Sequence, residues 1–301
     1  MAAEVLQTLK PQPGGIYADG TVGGAGHAAQ ILESSSPTGW LYGCDRDGVA
    51  VETAKRRLAE RFAGRFEIRR GNFSEWAGWI PAGRCDGVLL DLGVSSPQLD
   101  SPERGFSFQQ DGPLDMRMDD RQPLTAADLV NRAGAEELAK IFWEYGDERE
   151  SRRFAKAIVL DRAQTPFRTT RQLADLIERL APRGGKKAHP ATKVFQALRI
   201  AVNDEIGSLK RGLEAAVTIL KPGGRLVVIT FHSLEDRTVK AFGREKTRDY
   251  TFTGEVDVPE LRQPRVPELR WVSRKAIAPG DEELKANPRS RSAQLRVLEK
   301  I

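Results

Sequence analysis

Cysteine, histidine and methionine are scarce in this chain of 301 residues, at two, three and three. The two cysteines, Cys44 and Cys85, stand far apart beside apolar runs, which suggests no zinc knuckle or redox pair and predicts two reduced core thiols. His27, His189 and His232 are too scattered for ligand spacing, so no metal is expected. Long apolar runs are missing as well. No stretch nears the roughly 18–20 residues that a membrane helix requires, and Met1 to Lys10 lacks the basic start and apolar run of an export signal. A cytoplasmic location is the expectation.

What is present describes a globular protein. Hydrophobic residues make up 40% and charged residues 30%, a balance that supports a core and argues against disorder. The length exceeds one average domain, so the chain should be one large α/β domain or a domain carrying an insertion. A net charge of +5 and a pI near 9.2 fit a polyanionic partner, because phosphate neutralisation by lysine and arginine releases counterions.

From Gly15 to Asp91 apolar runs alternate with helical stretches. Strands are expected at Ile16-Tyr17-Ala18, Trp40 to Cys44, Phe66-Glu67-Ile68 and Gly87 to Leu90, with helices at Ala28 to Glu33 and Gly48 to Phe62. This β-α-β-α-β order predicts a parallel sheet wound on both faces, with ligands at the carboxyl ends of its strands. From Leu124 to about Thr218 the pattern turns helical. Ala135 to Ala163 and Thr170 to Ala181 carry helix periodicity, with Thr125 and Thr170 as expected caps. The sheet resumes at Arg225 to Thr230 after the turn Lys221-Pro222-Gly223-Gly224, and Ser233 to Asp236 has the spacing of a capping box. Residues 246–292 read as an extended loop before a last strand at Ala293 to Leu298.

The loop Asp19-Gly20-Thr21-Val22-Gly23-Gly24-Ala25-Gly26-His27 follows the first strand, where small residues let the backbone approach a ligand. No register gives Gly-x-Gly-x-x-Gly, and no Gly-Lys-Ser/Thr closes it, which argues against NAD and ATP. Asp45, at the end of the second strand, is placed to accept from both hydroxyls of a ribose, with Asp47 as its competitor. Together with Asp19 and the glycines, this spacing suits the ribose and cationic methionine part of S-adenosylmethionine. Phe73, after the third strand, reads equally well as an adenine-stacking or a core residue.

A further set of blocks is specific. The stretch Asp86 to Asp100, containing Asp91-Leu92-Gly93-Val94-Ser95-Ser96-Pro97-Gln98, is followed by Glu103-Arg104-Gly105-Phe106-Ser107-Phe108 and Asp111-Gly112-Pro113-Leu114-Asp115-Met116-Arg117-Met118-Asp119. Later come His189-Pro190-Ala191-Thr192-Lys193, Phe231-His232-Ser233-Leu234-Glu235-Asp236-Arg237 and Asn287-Pro288-Arg289-Ser290-Arg291-Ser292. In order and across nearly the whole chain, these blocks resemble the ribosomal small-subunit RNA methyltransferase H family, also called MraW. The opening segment departs from the family's His-x-Pro-Val-Leu-Leu-x-Glu and keeps only Glu4-Val5-Leu6.

The resemblance implies a Rossmann-like, S-adenosylmethionine-dependent methyltransferase sheet over residues 1–103 and 205–301, with an inserted, mostly helical domain over 104–204 for RNA recognition. It implies N4-methylation of a cytidine in small-subunit ribosomal RNA near the decoding centre, on free RNA or the assembled subunit, by a chain whose oligomeric state, homodimer included, is open. Carried over by position, the cofactor contacts would be Ala25, Gly26, His27, Asp45, Phe73, Asp91 and Gln98. The Asp/Asn/Ser-Pro-Pro-aromatic tetrapeptide of many amino methyltransferases is absent after the fourth strand, so Asp91, Ser95 and Ser96 are catalytic candidates by location. His232, just past a sheet strand, is a fourth, as proton acceptor or RNA contact. For RNA, Arg183 to Arg211 holds seven basic and two acidic residues, and Arg104, Phe106 and Phe108 could stack on an unpaired base. The rival reading is a non-catalytic RNA-binding or ribosome-assembly factor on the same fold.

Overall fold

The computed structural model describes residues 1–182, 189–252 and 256–301, so the expected joint at Gly184-Gly185 and the pair Lys186-Lys187 lie outside the described residues. The described chain divides into two compact units, Met1–Gly93 with Ile206–Ile301, and Val94–Glu205. The first break falls ten residues earlier than the expected 103/104, because Val94 and Leu99 pack against the core of the second unit.

The chain opens with α1 (Ala2–Leu9), β1 (Ile16–Asp19), α2 (Gly26–Ser34), β2 (Trp40–Asp45), α3 (Gly48–Phe62), β3 (Phe66–Arg70) and β4 (Cys85–Asp91). The second unit carries α4 (Ser96–Asp100), α5 (Ala126–Arg132), α6 (Ala135–Gly146), α7 (Ser151–Arg162), α8 (Thr170–Leu180) and α9 (Thr192–Val202). Then α10 (Glu205–Ile219) leads back through β5 (Leu220–Thr230), α11 (Ser233–Lys246), β6 (Tyr250–Phe252), β7 (Arg262–Pro264), β8 (Leu269–Trp271), α12 (Asp281–Ala286) and β9 (Gln294–Lys300).

In the first unit the strands lie in the order β3-β2-β1-β4-β5-β9-β8. β1 to β5 are parallel, while β9 runs antiparallel to both β5 and β8. Both faces are buried, which is why β4 and β5 read as near-continuous apolar runs rather than alternating ones. Val88, Leu90, Leu226 and Val228 pack on one side with Leu213 of α10 and Val239 of α11. Leu89, Val227 and Ile229 pack on the other with Leu9, Ile31 and Leu58 from α1, α2 and α3. Each such side chain contributes about 1.5–3 kcal/mol by leaving water. Cys44 and Cys85 are free and buried in the first of these layers, as expected of core thiols. Among the described residues no helix is long and apolar enough to cross a membrane.

Several local readings shift. Ala135 to Ala163 is two helices, because Asp147 turns left-handed with φ 49° and closes α6. Thr125 caps α5 as expected, but α8 is capped by Thr169, whose hydroxyl accepts from the Gln172 N–H, and not by Thr170. Residues 246–292 contain the antiparallel pair β6 and β7, the edge strand β8 and α12 in place of one extended loop. These strands are only three residues long and rich in proline and charge, so periodicity could not disclose them.

The second unit has its own core, with Leu138 and Phe142 of α6 against Phe154 and Ile158 of α7 and Val194 and Leu198 of α9. The block from Arg104 to Asp119 folds into a knot beside it. Asn203, fully buried, donates from Nδ2 to Met116 O at 2.7 Å and accepts the Met118 N–H at 2.8 Å. Arg104 donates to Arg117 O at 3.0 Å, Phe106 is buried, and Phe108 packs on His189 and Phe195 at 4.6 and 4.7 Å between ring centroids. The side chains expected to stack on a base thus serve this unit's own packing. Gly105 sits at φ 71°, and a Cβ there would lie 2.2 Å from Pro113 O. Gly105→Ala is therefore expected to lower stability by about 2–4 kcal/mol, from strain and overpacking together. Urea unfolding of the purified variant measures this, and a midpoint equal to wild type would contradict it.

Candidate active site

The carboxyl edge of the sheet gathers three acids. Asp19 ends β1, Asp45 ends β2 and Asp91 ends β4, and β1 lies between the other two strands. Thr21 links two of them: its N–H donates to Asp19 Oδ1 at 3.0 Å, while its Oγ1 accepts the Asp91 N–H at 2.7 Å. Gly20 passes so close to the core that a Cβ would sit 2.6 Å from Leu90 Cδ2 and 2.7 Å from Phe73 Cβ. Arg57 of α3 holds the far side of the loop, donating to Gly24 O at 2.8 Å.

Ala25, left-handed at φ 64°, starts α2, and no side chain caps that helix. The first amides, at Gly26 and His27, have no intrahelical acceptor and carry the positive end of the helix dipole. Such a terminus suits an anionic group. At the second residue of α2, His27 Nε2 lies 3.5 Å from Asp91 Oδ2. Two buried atoms of this pair, His27 Nδ1 and Asp91 Oδ1, have no hydrogen-bond partner among the described residues. Polar atoms buried without a partner are rare because each costs about 1–3 kcal/mol, and they fit side chains whose partner is a ligand.

The electrostatics follow from burial. Asp19 is buried, which pushes its pKa up to about 6 against the opposing pull of the His27 charge and the Thr21 amide. Burial lowers the His27 pKa, but the hydrogen-bonding Asp91 carboxylate and the charges of Asp91 and Asp19 outweigh it, and the net shift is upward. Burial also raises Asp45, although the Asp47 and Gly23 amides pull it down. Asp45 Oδ1 accepts from the Asp47 N–H at 2.9 Å and Oδ2 from the Gly23 N–H at 2.9 Å, so this side chain shapes the glycine loop. Asp47 instead caps α3, accepting the Val49 N–H at 3.0 Å.

The remaining expected residues have structural partners of their own. Phe73 is 8% exposed, with a tilted contact to Trp76 and with Gly212 of α10 so close that a Cβ there would meet Phe73 Cδ2 at 2.2 Å. In the second unit, Ser95 and Gln98 form the capping box of α4, and Ser96 is its exposed first residue. His232 caps α11, its Nδ1 accepting the Glu235 N–H at 3.4 Å while Glu235 Oε2 accepts the Phe231 N–H at 2.8 Å. The box expected to start at Ser233 thus starts one residue earlier. Its Nε2 lies 3.1 Å from Glu235 Oε1 but out of hydrogen-bond alignment. Sequence reasoning missed Thr21, which the Asp-Gly-Thr turn spacing could have flagged, and the His27–Asp91 pair, whose members stand too far apart in the chain to leave a local signal.

A parallel β1–β5 sheet closed by an antiparallel strand, with a glycine loop and acids at its carboxyl edge, is a Rossmann-like methyltransferase fold. The model of the MraW methylase family matches residues 1–301, and the chain belongs to that family. It is 54% identical over 306 residues to the ribosomal RNA small subunit methyltransferase H of Geobacter sulfurreducens, covering 100% of this chain and 97% of that one. The protein of the same name from Syntrophotalea carbinolica is 50% identical, covering 100% and 96%. An rRNA methylase structure from Streptococcus thermophilus is similar at a TM-score of 0.42 and 10% identity, covering 100% of this chain and 93% of that one, and it bears on nothing at the site.

The raised His27 and Asp19 pKa values act in the same sense. For each, the stabilising contribution is fully present below the unfolded-state value, 6.5 or 3.8, and is lost as pH rises through the folded-state value, which for Asp19 is about 6. Asp91→Asn removes the carboxylate that raises His27. The imidazole titration followed by NMR should move to lower pH in that variant, and an unchanged midpoint would dissolve the pairing.

Proposed function

We propose that this chain transfers a methyl group from S-adenosylmethionine to N4 of a cytidine in small-subunit ribosomal RNA. The observation that carries the reading is Asp91, held by Thr21 through its amide and by His27 through Oδ2, with Oδ1 buried and unpartnered at the sheet's ligand-binding edge. When bound, S-adenosylmethionine supplies a methyl already activated by its sulfonium. The protein's task is then to bind, orient and receive a proton, and orientation alone can lower a barrier by about 7–11 kcal/mol.

The chain's residues fit that cofactor. The uncapped start of α2 at Gly26 and His27 suits its carboxylate, Asp45 at the end of β2 suits its ribose, and Asp19 adds a carboxylate to a region that would hold a cationic centre. Cytosine N4 is a poor nucleophile because its lone pair is delocalised into the ring. An acceptor aimed at the amino hydrogens localises that pair and stabilises the charge formed on attack. Asp91 Oδ1 is that acceptor in our reading, and His27, with its pKa raised, keeps the carboxylate oriented through Oδ2. The non-catalytic reading gives way, since it leaves the unpartnered atoms of Asp91 and His27 without a role.

Asp91→Ala is expected to reduce methyl transfer at saturating substrates by about 100-fold or more, as for removal of one transition-state hydrogen-bonding group. Incorporation of labelled methyl into free small-subunit RNA and into assembled subunits, with nucleoside mass spectrometry, measures it. A variant that melts cooperatively near the wild-type temperature and methylates at the wild-type rate refutes the assignment. Asp45→Ala should weaken S-adenosylmethionine binding by about 1.5–3 kcal/mol in calorimetry. Unchanged affinity would place the ribose contact elsewhere.

A further inference from the structure

Two of the blocks singled out above, Phe231 to Arg237 and Asn287 to Ser292, are not used by the cofactor edge. The fold brings them together. β9 runs antiparallel to β5 with Gln294 paired to Thr230, so the turn Pro288–Ser292 that precedes β9 arrives beside the start of α11. Between them lies a cavity of about 470 Å³, lined by His232, Ser233, Arg237, Lys240, Ser292 and Gln294. That volume lies within the roughly 300–1,000 Å³ of small-ligand sites.

Its chemistry is that of an anion and hydroxyl site. Asp236, the acid in the lining, is already neutralised: Arg296 donates to it at 2.5 Å, and Lys240 Nζ lies 3.5 Å away. Arg237 is exposed and has no ion-pair partner among the described residues. Two serine hydroxyls and the Gln294 amide add hydrogen-bonding capacity. Phe231 is the aromatic in the lining, so the site suits a phosphodiester and its ribose better than a stacked base.

The position is as telling as the chemistry. Asp91 pairs with Ile229 across β4 and β5, and Ile229 directly precedes Thr230 of the cavity wall. Adjacent strands stand about 4.8 Å apart. The cavity therefore lies on the same sheet edge as Asp91, one strand over.

We propose that this cavity binds the sugar-phosphate of an RNA nucleotide adjoining the target cytidine, with Arg237 as its principal phosphate contact and Lys240 as a second. The proposal rests on the RNA methyltransferase reading and adds to it a positioning subsite on the sheet-bearing unit. Its role is to fix the strand so that the target base meets Asp91.

The test compares wild type with Arg237→Ala, Arg237→Ala/Lys240→Ala and Arg244→Ala. Arg244 is an exposed arginine of the same helix that does not line the cavity. Arginine-to-alanine exchange on an exposed helix face preserves helix propensity, so the variants should fold. Binding to protein-free small-subunit ribosomal RNA is measured across salt concentrations without methyl transfer, alongside KM for RNA and for S-adenosylmethionine. Arg237→Ala should weaken RNA binding roughly five- to tenfold and reduce the logarithmic salt slope by about 1, with KM for S-adenosylmethionine unchanged. The double variant should lose more, Arg244→Ala should match wild type, and Arg237→Lys should recover most of the binding. Wild-type affinity and slope in Arg237→Ala, or an equal loss in Arg244→Ala, would overturn the subsite. If wild type binds RNA in this Arg237-dependent way but methylates none, the functional reading fails and the subsite stands.

Discussion

A buried carboxylate at the end of β1 is the constraint around which the site is arranged. Asp19 is almost wholly removed from water, and an isolated charge there would be prohibitively expensive. The surroundings answer in two ways. The Thr21 amide donates to it, and His27, itself tied to Asp91, places positive charge near it. The same Thr21 side chain that turns back toward Asp19 receives the Asp91 amide, so the loop after β1 and the end of β4 are one hydrogen-bonded unit. Asp91 is held through its backbone and through one oxygen, and the other oxygen is buried without a hydrogen-bond partner among the described residues.

This arrangement depends on a sheet rigid enough to set strand ends in register. β1 and β4 lie side by side with Asp19 opposite Leu89, and the double covering of helices buries both faces. Polar groups in such an interior have few ways to relax, so a carboxylate at a strand end keeps its place when its partner changes. Glycine at position 20 is part of the same geometry, since the space a side chain would take is filled by Leu90 and Phe73.

The second unit solves a different problem. Its core is its own, and the block from Arg104 to Asp119 is spent on internal hydrogen bonds, with Asn203 reading two backbone groups and Asp115 gripping Arg117 through both oxygens. Residues that look in sequence like an RNA-stacking set therefore stabilise a loop. On the first unit, by contrast, the antiparallel return of β9 assembles a basic cavity from two segments far apart in the chain.

Much was legible before folding. Apolar runs flanked by turn residues gave away β1 to β5, because a doubly covered parallel strand must be apolar on both faces, and the glycine loop between Asp19 and His27 announced a ligand through the backbone it exposes. Family blocks spread over the chain named the chemistry. What the sequence by itself determined, then, was the layered sheet, the loop and the class of reaction, all written in local pattern and residue type. Only the tertiary structure decided that Thr21 joins Asp19 to Asp91, that Asp47 and His232 are caps, that Phe73 is wedged against Gly212, and that Arg237 and Ser292 line one cavity. The physical reason is common to these cases. Hydrogen bonds and charge pairs are set by distances across strands and helices, and no periodicity along the chain records them.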